Sequence, residues 1–437
     1  MKDFIIELGL ASNADKLREY VANFDAEMRR GLCGEGGSLR MLPAYLDPGA
    51  IADAAPAGRV IAIDAGGTNL RVALADFDES GAFDILHCET YPIPGLRQEV
   101  SARAFFERIA DCLAPIAAKS DRIGFCFSNP AVILPNGDAR ILGFTKEVRV
   151  DGAGGLVIGD ALRGALKSAG LPFEKSVVTL NDTAAAQLGA MADASAQEKQ
   201  GAFVGFVFGT GVNACYAESN ENIRKEEALR ERPGATIINT EAGGYDGFPE
   251  AEADRRFIDA TADPEMQRFE KMSSGVYQRD NLLEWIRFAA SKGVFSEGFA
   301  VRVRGLKQIP VGEADSFCAS PREGGVLAGL CLNAADAVKL RRLIEAFFDR
   351  IAFMLSVMLT AVSLRARDAA RDATLPVCIS AEGTAFHSEK LLRESLDRYM
   401  ERGARAQFGL AYRFTRIEHA TIRGAALAAL AATGSDL

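Results

Sequence analysis

The sequence is short of the side chains that most often carry nucleophilic catalysis and metal binding. It has three histidines in 437 residues, at positions 87, 387 and 419. None stands beside a glycine turn or a plausible nucleophile. Ser/His and Cys/His mechanisms therefore have little support, and a general base is expected to be a carboxylate. The eight cysteines (33, 88, 112, 126, 215, 318, 331 and 378) are scattered, with no C-x-x-C pair and no metal-ligand spacing. Cys126 and Cys378 sit in apolar, strand-like runs, where a free thiol behaves as a small hydrophobe. That usage fits a reduced, cytoplasmic compartment. A basic balance is also missing. The formal charge of -9 argues against nucleic acid or an anionic membrane as partner, while leaving room for one local cationic pocket. The longest uncharged apolar run, Ile351 to Leu364 (IAFMLSVMLTAVSL), is too short to span a bilayer and reads as a helix buried between layers. The opening MKDFIIELGL carries Lys2, Asp3 and Glu7 and lacks the apolar core and cleavage site of a secretory signal. A soluble protein is expected.

What is present is enough for two lobes, since 437 residues exceed one ordinary core. Val21, Phe24, Met28 and Leu32 recur at helical spacing before Gly34, Gly36 and Gly37 end the pattern. After Pro56 short β-rich runs follow: VIAID, RVALADF, FDIL near residue 85, RIGFCF at 122–127 and SVVTL at 176–180. Residues 160–169 and 183–191 read as helices. A second set of strands begins at Gly201 with AFVGFVF, NACYAE and ATIIN. Helical stretches over 265–295 and 335–365, a strand at 376–380 and a terminal helix from about Thr421 complete the series. The mixture predicts an α/β protein with a mixed sheet. No Pro/Gly/Ser-rich linker separates the lobes.

Two stretches share one layout. VIAIDAGGTNLRVALADF (60–77) and GAFVGFVFGTGVNACYAE (201–218) each run from an apolar strand through a turn of Gly and Thr into a second strand. Backbone N–H groups can grip a phosphate only where no Cβ obstructs the approach. In P-loops and dinucleotide folds such a turn enters a helix. Here LRVALADF alternates as a strand, so both turns are expected to be hairpin tips. Taken singly, each reads as an ordinary hairpin. Taken as a matched pair, they read equally well as a clamp on a nucleotide held between two lobes and as two ordinary hairpins. Gly66, Gly67 and Thr68 would donate, Arg71 would add charge, and Asp64 would order a magnesium ion through water. In VVTLNDTAAAQLGAM (177–191), Asn181 and Asp182 fall where a strand gives way to a helix. Ligands of α/β sheets bind there, although Asn and Asp also serve as helix caps.

In these motifs the chain resembles the hexokinases, including glucokinases, of the actin/Hsp70-like ATPase superfamily. DAGGTNLRV is similar to the family's first phosphate motif, IGFCFSNP (123–130) to its sugar segment and GFTK (143–146) to the Thr-Lys segment after it. LNDT is similar to the catalytic motif and FGTGVNACY (208–216) to the second phosphate motif. INTEAGGY (238–245) and RFEKMSSGVY (268–277) resemble two glutamate segments, and the order along the chain is the family's.

The resemblance implies a two-lobed actin-like (ribonuclease H-like) fold, with a mixed sheet flanked by helices in each lobe and a cleft between them. The smaller lobe would span 57–187 with the terminal helix 420–437. The larger would span 188–419 with the N-terminal helical segment 1–56. The implied activity is ATP-dependent phosphorylation of a hexose 6-hydroxyl with Mg²⁺, by a monomer or homodimer. Asp182 would be the base and Lys146 a catalytic cation. Ser128, Thr145, Lys146, Asn181, Asn213, Glu241 and Glu270 would ring the sugar. Asp64, Gly66, Gly67, Thr68, Asn69, Arg71, Thr210 and Gly211 would face the phosphates, and Gly383 and Thr384 the nucleotide.

Six departures, in three segments, bear on selectivity. Asn129 stands where the family has an aromatic residue, and Ala242 and Tyr245 alter the segment after Glu241. In HATIRGAALAAL (419–430), Ala420 and Ile422 replace glycines and Thr421 replaces a serine. A nucleotide-dependent sugar sensor or actin- or chaperone-like binding protein is the alternative. It would need the glycine turns but not the sugar-ringing set.

Overall fold

The computed structural model describes residues 3–54, 57–144, 148–194, 200–321 and 324–432. Two sheets organise these residues. In chain order their strands are β1 (Leu42–Pro43), β2 (Gly58–Ala65), β3 (Asn69–Phe77), β4 (Phe83–Pro92), β5 (Arg122–Phe127) and β6 (Ser176–Leu180). There follow β7 (Ala202–Phe208), β8 (Val212–Ser219), β9 (Ala235–Asn239), β10 (Val377–Glu382) and β11 (Tyr412–Thr415). The first sheet has five strands in the order β6-β5-β2-β3-β4, and the second has six in the order β1-β9-β8-β7-β10-β11. Both expected hairpins form: β2 pairs antiparallel with β3, and β7 with β8. Both sheets are mixed, because β2 and β6 run parallel to β5 and β10 runs parallel to β7.

Alternation along the strands divides the first sheet's two faces. Ile61, Ile63, Val72 and Phe125 point into a core shared with the helices Ala102–Leu113 and Ile158–Ser168. Val60, Ala62, Ala73 and Ala75 point the other way, onto a terminal helix. The functional argument uses six helices: α1 (Leu17–Cys33), α2 (Asp182–Ala194), α3 (Arg268–Ser273), α4 (Gly275–Ser291), α5 (Ala334–Asp368) and α6 (Ala420–Ala431). Helix α6 covers the first sheet, α2 covers the second, and the two helices pack on each other between the sheets. Small residues bring their backbones together. A Cβ on Gly424 would collide with the carbonyl of Ala185, and one on Gly124 with the carbonyl of Ala425.

Three expectations are refined. The apolar run at 351–364 is part of a 35-residue helix, α5. By length and composition α5 could cross a membrane, but 89% of its most apolar window is buried in the fold. Its flanking charges are absorbed locally: Arg350 pairs with Asp254 at 2.8 Å, and Arg365 with Asp25 at 2.7 Å. The helical stretch at 265–295 is broken at Ser274, which is extended (φ -72°, ψ 155°), because Gly275 donates its N–H to the carbonyl of Gly209 at 2.8 Å. The N-terminal segment is also divided. Helix α1 ends at a left-handed Gly34 and buries Phe24 and Met28 in the second sheet's core, while Ala44, Leu46 and Ile51 join the layer around α6.

Candidate active site

The parallel register aligns the ends of three strands. Asp64 of β2 and Leu180 of β6 both lie opposite Cys126 of β5, so Asp64, Cys126 and the Asn181-Asp182 pair share one edge of the first sheet. Asn181 does serve as a cap, its Oδ1 accepting from the Thr183 backbone at 2.9 Å and the Thr183 hydroxyl at 2.6 Å. Capping holds the first turn of α2 and fixes where Asp182 projects. The carbonyl of Thr183, the next residue, abuts β7 of the second sheet, where a Cβ on Gly205 would collide with it. Asp182 therefore lies where the two sheets approach each other. Burial, then Asp64 and Asp182, push the Cys126 thiol well above its usual value. Burial, with a smaller push from Asp182, takes Cys215 of β8 up to about 12.

At the first hairpin Gly66 donates its N–H to the carbonyl of Asn69 at 3.0 Å, and the carbonyl of Thr68 accepts from Ile93 at 3.0 Å. The Asp64 carboxylate, 5% exposed, is gripped by the Arg71 guanidinium and accepts from the Thr421 hydroxyl at 2.9 Å. Arg71 also donates to that hydroxyl at 3.0 Å. Ser128 follows β5, its N–H donating to the carbonyl of Ala65 at 3.2 Å. Thr145 and Lys146 lie outside the described residues.

The second hairpin turns at Gly209-Thr210-Gly211, with Gly209 N–H donating to the carbonyl of Gly211 at 3.0 Å. Gly383, at φ +109°, follows β10 and abuts the end of β7, where a Cβ would collide with the carbonyl of Phe208. Thr384 opens the short helix Thr384–Ser388 beside it. Beyond the turn, a chain of amides and carboxylates lines the end of the sheet. Asn213 Nδ2 donates to Asn239 Oδ1 at 2.7 Å, and Asn239 Nδ2 donates to Glu241 Oε1 at 2.7 Å. Glu270 accepts from the Val212 backbone at 3.2 Å, and a Cβ on Gly211 would strike its Oε2. Glu241 and Gln267 hold left-handed backbones (φ 55° and 54°), a conformation uncommon outside glycine and frequent at functional sites.

The structure thus gathers Asn213, Glu241 and Glu270 around the start of β8, and Asp64, Arg71 and Ser128 around the end of β2. Asp182 follows β6 of the first sheet, and its neighbour Thr183 abuts β7 of the second. Of the departures, Tyr245 serves the core, 4.5 Å ring to ring from Phe24, and Thr421 is joined to Asp64. Two residues escaped the sequence reading, Asn239 and Glu382, and Thr421 was singled out there without its partner Asp64. Asn239 stands two residues before Glu241, and Glu382 directly precedes Gly383, so adjacency was their signal. Glu382 ends β10 with its Oε1 buried and unpartnered. Burial, opposed by Arg71 and Arg416, takes its carboxyl up to about 7.

Family models described as hexokinase match residues 5–192 and 203–431, which together take in most of the chain. The chain belongs to the hexokinase family. It is 28% identical to hexokinase-3 of Mus musculus over 400 residues, 86% of this chain and 42% of that protein. It is 31% identical to hexokinase-1 of Schizosaccharomyces pombe over 278 residues, 61% of this chain and 56% of that protein. The chain thus spans about half the length of these hexokinases. The fold is that of a hexokinase from Schistosoma mansoni complexed with glucose, at a TM-score of 0.76, 22% identity and 98% coverage of both chains.

Proposed function

We propose that the protein transfers the terminal phosphoryl group of ATP to the 6-hydroxyl of a hexose, glucose or a close relative, giving hexose 6-phosphate and ADP. The observation that supports this reading is that Asp182 follows Leu180 at the end of β6 in the first sheet, while the carbonyl of the next residue, Thr183, lies against Gly205 of β7 in the second. A carboxylate there can accept the hydroxyl proton as the oxygen attacks. Family membership over both halves supports the same chemistry.

The remaining residues divide by chemistry. Hexose hydroxyls both donate and accept, so Glu241 and Glu270 as acceptors and Asn181, Asn213 and Ser128 as mixed partners suit a sugar. Asn239 locks Asn213 to Glu241, so the ring of contacts is set before a sugar arrives. Thr145 and Lys146 complete the set on the sequence motif. The bare backbone of Gly66, Gly67, Gly209, Gly211 and Gly383, with Thr68, Asn69, Thr210 and Thr384, suits a polyphosphate. Among the described residues no group of three or more His, Cys, Asp or Glu side chains could hold a metal by itself. The donors therefore fit a magnesium ion that arrives on the nucleotide, with Asp64 reaching it through water. Bound there, the ion would neutralise charge on the transferring phosphate.

The lobes are proposed to divide at about 57–187 with 420–437 and 188–419 with 1–56, and to close on the sugar so that water is excluded. All eight cysteines are free thiols, which supports the cytoplasm as the site of action.

The test is ADP release from Mg-ATP across a hexose panel, for the wild type and Asp182→Ala. Loss of the base should lower kcat by roughly 10²–10⁴. Undiminished turnover in the variant rejects Asp182 as base. Sugar binding without turnover in the wild type would instead indicate a sensor.

A further inference from the structure

We infer that Thr421 is a positioning residue for the phosphate hairpin, holding Asp64 and Arg71 in one geometry from the opposite end of the chain. The inference rests on the proposed kinase activity for its meaning, but its contacts do not depend on that activity. The Thr421 hydroxyl donates to Asp64 Oδ2 at 2.9 Å and accepts from Arg71 Nη2 at 3.0 Å. Arg71 Nη2 also donates to Asp64 Oδ2, so three side chains close a ring. A hydroxyl has one proton to give and two lone pairs. The proton is committed to the carboxylate, which fixes the direction from which the guanidinium can be accepted.

Burial makes the ring matter. Thr421 is 8% exposed and Asp64 5%, so water has little access to replace a lost donor. Arg71, with its side chain 34% exposed, serves both acceptors from one nitrogen, which has two N–H groups to give. The Thr421 hydroxyl is the group through which α6 hydrogen-bonds the Arg71–Asp64 pair among the described residues. Thr421 itself is held firmly. It lies in the first turn of α6, whose backbone abuts α2 where a Cβ on Gly189 would meet the carbonyl of Ala420. Helix α2 carries Asp182 at its own first residue. A single rigid pair of helices therefore places the proposed base and, through Thr421, the carboxylate that faces the polyphosphate.

The experiment compares Thr421→Val, Thr421→Ala and Thr421→Ser with the wild type. The readouts are KM for Mg-ATP, KM for the hexose, kcat, and Mg-ADP affinity by calorimetry, which needs no turnover. Thr421→Val and Thr421→Ala should each raise the nucleotide KM and weaken Mg-ADP about ten- to hundredfold, the range of one hydrogen bond to a charged group. The hexose KM should stay within about twofold, and Thr421→Ser, which keeps the hydroxyl, should restore wild-type values. Wild-type nucleotide affinity in both Val and Ala variants overturns the inference. So does an equal loss in the Ser variant, which would show that packing rather than the hydroxyl matters. If the wild type turns over no hexose, the kinase reading fails while the calorimetric comparison still decides the role of Thr421. If Thr421→Val does not fold, judged by its melting curve, Thr421→Ala and Thr421→Ser carry the comparison.

Discussion

The two glycine hairpins share one layout and are supported in different ways. The turn after β2 is held by charge: Arg71 and Thr421 converge on the buried Asp64 carboxylate. The turn after β7 is held mainly by contact between backbones, beside the Glu270 carboxylate that accepts from Val212. Gly275 donates to the carbonyl of Gly209, and Gly383 abuts the carbonyl of Phe208. A phosphate-facing corner must stay fixed while leaving its own N–H groups accessible, and a sequence can meet that need electrostatically or sterically. The first solution responds to loss of a charged partner and to salt. The second responds to any added methyl group.

Substitutions can break this contrast. The largest effect is expected from Gly383→Ala, where the new Cβ meets the carbonyl of Phe208 and φ is +109°. Overpacking and backbone strain together should cost roughly 2–4 kcal/mol, read as a lowered denaturant midpoint. At the other hairpin Arg71→Gln removes the charged partner of Asp64. With Arg71 partly exposed, a loss of about 1–2 kcal/mol is expected, falling further as ionic strength decreases the pairing in the wild type. Gly66→Ala sharpens the comparison from the opposite direction. Its Cβ would lie 3.4 Å from the carbonyl of Asn69, an ordinary contact, so stability should change by less than about 1 kcal/mol. Nucleotide affinity should nevertheless drop, because the methyl group obstructs the phosphate approach. Equal destabilisation by Gly66→Ala and Gly383→Ala would erase the distinction.

A different kind of effect is a pH dependence near the second hairpin. Burial takes the carboxyls of Glu382 and Glu389, on either side of the Thr384–Ser388 helix, up to about 7. A raised folded-state value means that the folded protein holds the proton more tightly than the unfolded chain. The associated stability is fully present below the unfolded value near pH 4.5 and is lost as pH rises through about 7. Chemical denaturation between pH 5 and pH 8 (a range of roughly three units around these values) should show that decline. Glu382→Gln and Glu389→Gln should each flatten it. An unchanged slope in both variants would remove these carboxyls as its source.

The parts of the site that could be read from the sequence were those set by local pattern. Strand alternation in LRVALADF excluded a helix after Gly67, and the hairpin follows from it. The position of Asn181-Asp182 at a strand-to-helix junction needed only the apolar run before it and the alanine-rich helix after it. The residues that remained unread depend on contacts made far away in sequence. Thr421 reaches Asp64 across 357 positions, and nothing in TIRGAALAAL marks its hydroxyl as a partner for a carboxylate. Asn239 gained its role only once β8 and β9 paired and brought Asn213 beside it. The break at Ser274 escaped for the same reason, since the carbonyl that draws Gly275 out of a continuous helix belongs to the second hairpin. Periodicity reports which face of an element is buried. It does not report which polar group will be waiting on the other side.

The placement of α6 has a consequence for how the protein is made. Val60, Ala62, Ala73 and Ala75 form an apolar face whose cover is supplied by residues 420–431. A ribosome delivers the strands first and the cover long afterwards, so the first sheet must wait, half-dressed, through the synthesis of the entire second one. Nascent chains halted before residue 420 are expected to expose that face and to engage holding chaperones.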